Sequence, residues 1–199
     1  MPIPFDAVIN AGDAITPFFL QDKTLPLLHA KAFFDEAKKS RSPFVFAKGN
    51  HDCNCWWNKP ENVLTDSDYS NLFYWFSEEN CGTVHQTKAN GYRSTWNYLD
   101  IEKQKIRIIS VDFQDIDKTV INEKGEVKYF SGDGRRYISN EQMNWIANVA
   151  LNFDDKAEKD WGVIIVGHDY KGKYPDFENV GEKLLDICAA FNNGETYEH

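Results

Sequence analysis

Three short stretches carry side chains able to do chemistry, and each stands behind an apolar run. Asp6-Ala7-Val8-Ile9-Asn10-Ala11 leads into Gly12-Asp13. Pro43-Phe44-Val45-Phe46-Ala47 and Lys48 lead into Gly49-Asn50-His51-Asp52. Trp161-Gly162-Val163-Ile164-Ile165-Val166 leads into Gly167-His168-Asp169. The pattern predicts three short buried strands, each releasing the chain into a glycine turn. In open α/β folds ligands collect beyond the carboxyl ends of strands, where Asp13, Asn50, His51 and His168 all fall. A carboxylate, an amide oxygen and a neutral imidazole suit a divalent ion such as manganese, iron or zinc. Two such ions bridged by a carboxylate can activate a water and neutralise phosphate oxygens. His51, beside a ligand, is placed to protonate a leaving alkoxide. Each turn alone is ordinary; the three together, in this order, read as a metal site.

The elements that must position these turns follow from periodicity. A helix is expected over Leu25 to Lys38, with Leu27, Leu28, Ala30, Phe33, Phe34 and Ala37 inward, Thr24 as its cap and Pro26 in its first turn. His29 reads as a surface or half-buried residue, not a ligand. A second helix starts at Thr65 or Asp66 and runs through Phe76. Tyr92 to Ile101 alternates loosely, and Ile106 to Val111 reads as a strand that ends at Asp112. Asn122-Glu123-Lys124-Gly125 is a hairpin signal, and Gly132-Asp133-Gly134 marks another turn. Ser139-Asn140-Glu141-Gln142 is a capping box opening a helix to about Leu151. A last helix spans Gly181 to Phe191. Helices interleaved with strands, without repeats or a low-complexity linker, predict one α/β domain over residues 1–199.

Composition narrows the function classes. With 199 residues and a net charge of −9, the chain can bury one sizeable core and lacks the basic face of a nonspecific nucleic-acid binder. A phosphate substrate remains compatible, because bound divalent cations supply positive charge. There is neither an 18-residue apolar stretch nor a basic-then-apolar leader, so no membrane partner is expected, and a cytoplasmic location. Reduced thiols are then the expectation for the cysteines. Cys53-x-Cys55 with Cys81-x-x-x-His85 is the alternative, a zinc knot of tighter spacing than usual.

Gly12-Asp13, then Gly49-Asn50-His51-Asp52, then His168 behind an apolar strand resemble the calcineurin-like metallophosphoesterases. Tyr137-Ile138-Ser139 with Glu141-Gln142 and Trp145 looks like the bacterial and phage branch. The resemblance covers about residues 6–170. It implies an αββα sandwich with two divalent ions (manganese, iron or zinc) at the strand ends. It implies hydrolysis of a phosphomonoester or phosphodiester by metal-bound hydroxide. It assigns Asp13 as the bridging ligand, Asn50 and His168 as ligands of the second ion, His51 as the group assisting the leaving alcohol, and Asp52 as the acid orienting His51.

The chain departs from the family pattern in two places. No Asp-x-His precedes Gly12, and no Gly-His-x-His follows His168. The second ion keeps three family ligands and the first keeps the shared Asp13. A fragment of a longer enzyme, a start placed too late, or a degenerate relative each accounts for this. Turnover by this chain is expected to be weak, and an uncovered sheet edge favours a homo-oligomer. A noncatalytic scaffold binding at most one ion is the alternative. Arg135-Arg136 are candidates for a substrate phosphate, or the solvated end of a hairpin. Trp56-Trp57 are candidates for stacking on a nucleobase, or simply packing.

Overall fold

The computed structural model describes residues 5–15, 22–40, 42–54, 59–77, 82–129, 137–168 and 180–197. Among these residues, four α-helices and two sheets make a mixed α/β protein. In the first sheet β1 (Val8–Asn10) pairs in parallel with β2 (Phe44–Phe46), Val8 opposite Phe44. The second sheet has the order β3 (Val84–Thr87), β4 (Arg93–Ile101), β5 (Ile106–Val111) and β6 (Gly162–Gly167). Its first three strands are antiparallel neighbours, and β6 returns parallel to β5 with Val111 opposite Gly167. The apolar runs are thus the expected strands, shorter than their apolar spans. Strand β3 is the one the sequence pattern did not announce, because Val84-His85-Gln86-Thr87 carries one apolar residue.

The two sheets meet face to face. Val45 of β2 packs on Leu99 of β4 and Ile108 of β5, with Ala7 and Val166 closing the cluster. The Phe46 carbonyl accepts hydrogen bonds from Ser110 Oγ at 2.9 Å and from Asn97 Nδ2 at 3.4 Å, so polar side chains also fix one sheet upon the other. On the outer face of the first sheet, α1 (Thr24–Ala37) buries Ala30 and Phe34 against Phe44 and Phe46. Phe34 meets Phe46 edge to face at 5.3 Å. Helix α2 (Asp66–Ser77) adds Tyr69 to that core. On the outer face of the second sheet, Trp96, Ile109 and Val111 meet Met143, Trp145 and Ile146 from α3 (Asn140–Trp145) and the turn after it. Leu184 and Ile187 come from α4 (Val180–Asn193).

Two expected details of α1 are corrected. Leu28 is 59% exposed, because the buried stripe follows Pro26, Ala30 and Phe34 and position 28 falls off it. Thr24 is the first helical residue rather than the cap; Lys23 holds the cap position, and Asp22 Oδ1 accepts the Thr24 amide at 2.8 Å. His29 is exposed, as expected. The turn at Asn122–Gly125 is present, with Gly125 at φ +74° and its amide bonded to the Asn122 carbonyl.

The capping box at Ser139 forms by half. Ser139 Oγ accepts the Gln142 amide at 3.1 Å and opens α3 (Asn140–Trp145), which continues as a π-helical turn over Ile146–Ala150. The Gln142 side chain, expected to fold back on Ser139, instead reaches β5. It accepts the Asp112 amide at 2.9 Å and donates to the Asp112 carbonyl at 3.0 Å. The buried amide thereby leaves neither backbone group of Asp112 unsatisfied. At the other end of the sheet, buried Arg107 makes a bidentate pair with Asp100 at 2.6 and 2.8 Å and donates to the carbonyls of Ala150 and Asn152. It thereby closes the last turn of the α3 region.

Candidate metal centre

Strands β1, β2 and β6 deliver their turns to one edge of the paired sheets. The two glycines ahead of the chemistry are there for space. A Cβ on Gly49 would be driven into the Asp13 carboxylate and amide. Gly12 has φ +104° and lies under the His168 ring, where a Cβ would stand 2.7 Å from Nδ1. Only residues without a side chain let these turns close on one another. Asp13 follows in the left-handed region at φ +55°, which aspartate tolerates better than most residues.

Asp52 joins the turns. It is 1% exposed, and its carboxylate accepts amide hydrogens from Asp13 at 3.0 Å, Gly49 at 2.7 Å and Ile15 at 2.9 Å. The resemblance placed this acid behind His51. Both of its oxygens are engaged by the backbone amides of Asp13, Ile15 and Gly49. Burial pushes the Asp52 carboxyl up to about 7 against the pull of those amides, and the nearby Asp13 charge adds to the rise.

Asp13, Asn50 and His168 converge. His168 Nε2 lies 3.1 Å from Asp13 Oδ2 and 3.2 Å from Asn50 Oδ1. Its Nδ1 lies 2.8 Å from the Ala11 carbonyl. Asp13 Oδ1 accepts the His51 amide at 3.0 Å, which leaves Oδ2 to face the imidazole. All three hydrogen-bonding partners of the His168 ring among the described residues are acceptors, so the metal-free ring favours both protons. The Asp13 hydrogen bond accordingly raises its pKa, which burial opposes. For Asp13 burial works upward, but the bonds from His168 and the His51 amide outweigh it and hold the carboxyl below its ordinary value. The His51 backbone amide, bonded to Asp13 Oδ1, holds residue 51 beside the cluster.

The donor set fits one divalent ion. Two donors each about 2.1 Å from one ion stand roughly 3.0–3.4 Å apart in octahedral or tetrahedral geometry. The separations of 3.1 and 3.2 Å fall in that range. The Ala11 carbonyl is the outer partner that fixes the tautomer and direction of a ligating imidazole. Among the described residues no group of three or more His, Cys, Asp and Glu side chains is arranged to hold a metal ion; the trio contains two of these types and an amide.

Arg135, Arg136, Trp56, Trp57, Cys55, Cys81 and Asp169 lie outside the described residues. His85, the histidine of the alternative zinc knot, is buried, with Nδ1 2.8 Å from the Ser94 carbonyl and Nε2 3.5 Å from Thr83 Oγ1. Both ring nitrogens therefore have protein partners among the described residues. Burial drives its pKa down to about 4.

Sequence reasoning missed the ion pair beside the site. Lys48 Nζ lies 2.8 Å from Asp112 Oδ2, with the side chains 7% and 0% exposed. Thr95 Oγ1 donates to the same oxygen, and Asp112 Oδ1 accepts the Gln114 amide at 2.7 Å. Burial works against the Lys48 charge, but Asp112 prevails and pushes the amine up to about 12. The pair ties the end of β2 to the end of β5. Its only signal in the sequence was a charged residue directly after each apolar run. No helix among the described residues is long and apolar enough to cross a membrane. No family model, no curated protein and no solved structure matches the chain.

Proposed function

We propose that the chain is a metal-dependent phosphoesterase of the metallophosphoesterase type, acting on a phosphomonoester or phosphodiester. One observation carries the reading: Asp13, Asn50 and His168, from three separate strand ends, turn their oxygen and nitrogen donors to one point. The succession of helix, sheet, sheet and helix along the packed clusters supports it, being the αββα order that the resemblance implies. The three residues would hold a divalent ion, which when bound would supply positive charge to a phosphate and polarise its oxygens. The chain, at net −9, needs that charge to attract a phosphate at all. Asp52 keeps the Gly12 and Gly49 turns in register. His51 stands at the cluster with the residue type suited to deliver a proton to the departing alcohol.

Hydrolysis of an aryl phosphate in the presence of manganese tests the reading. Turnover lost in Asn50→Ala and His168→Ala is the expected result. Turnover indifferent to Asp13, Asn50 and His168 would sink it. The described residues provide converging donors for a single ion, which favours a second reading: a scaffold that binds one ion without turnover. Metal content of one ion per chain with no hydrolysis of any phosphate ester would select it.

A further inference from the structure

The core between the two sheets is left open on one side. Register places Ile9 of β1 opposite Val45 and Ile164 of β6 opposite Ile108, so all four side chains belong to the inner faces. Val45 and Ile108 are 0% and 4% exposed, whereas Ile9 and Ile164, one strand further out, are 40% and 44% exposed. The uncovered pair continues the packed cluster of Val45, Leu99 and Ile108. Strands β1 and β6 each have a neighbour on one side only among the described residues. In β6 the Gly162 amide donates to the Lys105 carbonyl at 2.8 Å, toward β5. Alternation along the strand then turns the backbone groups of Val163, Ile165 and Gly167 outward.

The two edges of the second sheet are built differently. Strand β3 is short, shifts register between His85 and Thr87 and runs into Lys88, whose amine is held by Asp66. Such an edge discourages pairing. Strand β6 is six residues of Gly, Val and Ile in unbroken register, none of them buried. It has no charge, proline or bulge to keep another strand away. The chain carries a net charge of −9, which keeps copies of it apart elsewhere. Val8, Ile9 and the whole of β6 set no like charges against one another. A two-fold axis brings the same patch of two copies together and uses it up.

We infer that a second copy of the chain covers this side. The two β6 strands pair antiparallel about a two-fold axis at Ile165, with Val163 opposite Gly167 of the second copy. Ile9 and Ile164 of both copies then close one continuous core. The contact needs neither metal nor phosphate. Sedimentation velocity of the full chain over about 5–200 µM tests it. The sedimentation coefficient should rise with concentration to that of a dimer. Ile164→Lys should weaken dimerisation at least about tenfold, because it sets two ammonium groups against each other. Val84→Lys, at a comparably exposed position on β3, should leave it unchanged. Circular dichroism checks that the variants fold, and Ile9→Lys replaces Ile164→Lys if that chain does not. Hydrogen exchange gives a second readout. The Val163 and Ile165 amides, which point away from β5, should exchange more slowly as the unaltered chain is concentrated, and not in Ile164→Lys. A monomer at every concentration would mean that some other chain covers the core, and would overturn the inference. So would a dimer that Ile164→Lys leaves intact, one that Val84→Lys breaks as strongly, or growth into larger species.

Discussion

Two polar clusters sit at one edge of the molecule, and they handle their charges in opposite ways. The Lys48–Asp112 cluster is closed: its side chains are 7% and 0% exposed, and the amine, both carboxylate oxygens and the backbone groups of Asp112 all have protein partners. The Asp13–Asn50–His168 cluster is open. The side chains of Asp13 and His168 are 32% and 26% exposed, and their pair, with Asn50 beside it, meets at a partly exposed strand end. Saturated buried polar groups hold a structure together. Converging donors at a half-exposed strand end are what a ligand uses. The difference separates architecture from chemistry among residues that look alike in the sequence.

The largest effects should come from breaking the closed cluster. Lys48→Ala leaves the Asp112 carboxylate buried without its cation, and a loss of about 3–5 kcal/mol in urea unfolding is expected. A loss below about 1 kcal/mol would show that water reaches Asp112 and that the cluster is not closed.

The second expected effect is on pH dependence. His85 is buried and held neutral, with a folded pKa of about 4 against an ordinary 6.5. The unfolded chain therefore binds the extra proton between those values. The stability His85 contributes is complete above pH 6.5 and is lost as pH falls toward about 4. Between pH 7 and pH 5 the loss should be about 2 kcal/mol, and His85→Gln should remove that part of the slope. An unchanged slope in the variant would place the titration elsewhere.

Much of this organisation was legible in the sequence. The three apolar runs, the hairpin at Asn122–Gly125 and the Ser139 cap were readable because each depends on neighbours in the chain. So were the two glycines, since a strand ending in Gly-Asp or Gly-Asn needs a tight turn. What escaped was non-local. Gln142 has a helix-capping pattern, but its amide serves Asp112, 30 residues away. Asp52 sits next to His51, yet its oxygens serve amides on both turns. Strand β3 is held by its place beside β4, which no periodicity in Val84–Thr87 could announce.

Smaller effects sharpen the same contrast. Ser139→Ala removes the cap and one hydroxyl donor to Asp115, and about 1 kcal/mol should be lost. A neutral result would mean that Gln142 alone anchors the helix. Asn50→Ala should change stability by no more than about 0.5 kcal/mol in metal-free protein, because the amide is half-buried and belongs to the open cluster. A large loss would make Asn50 architectural and weaken its assignment as a ligand.

The central claim is that Asp13, Asn50 and His168 form one site for a divalent ion. Calorimetric titration of manganese into the metal-free chain tests it most directly. One ion per chain should bind at the trio, with affinity reduced at least about tenfold in Asn50→Ala and in His168→Ala. Binding of equal strength in both variants, or none to the unaltered chain, would contradict it.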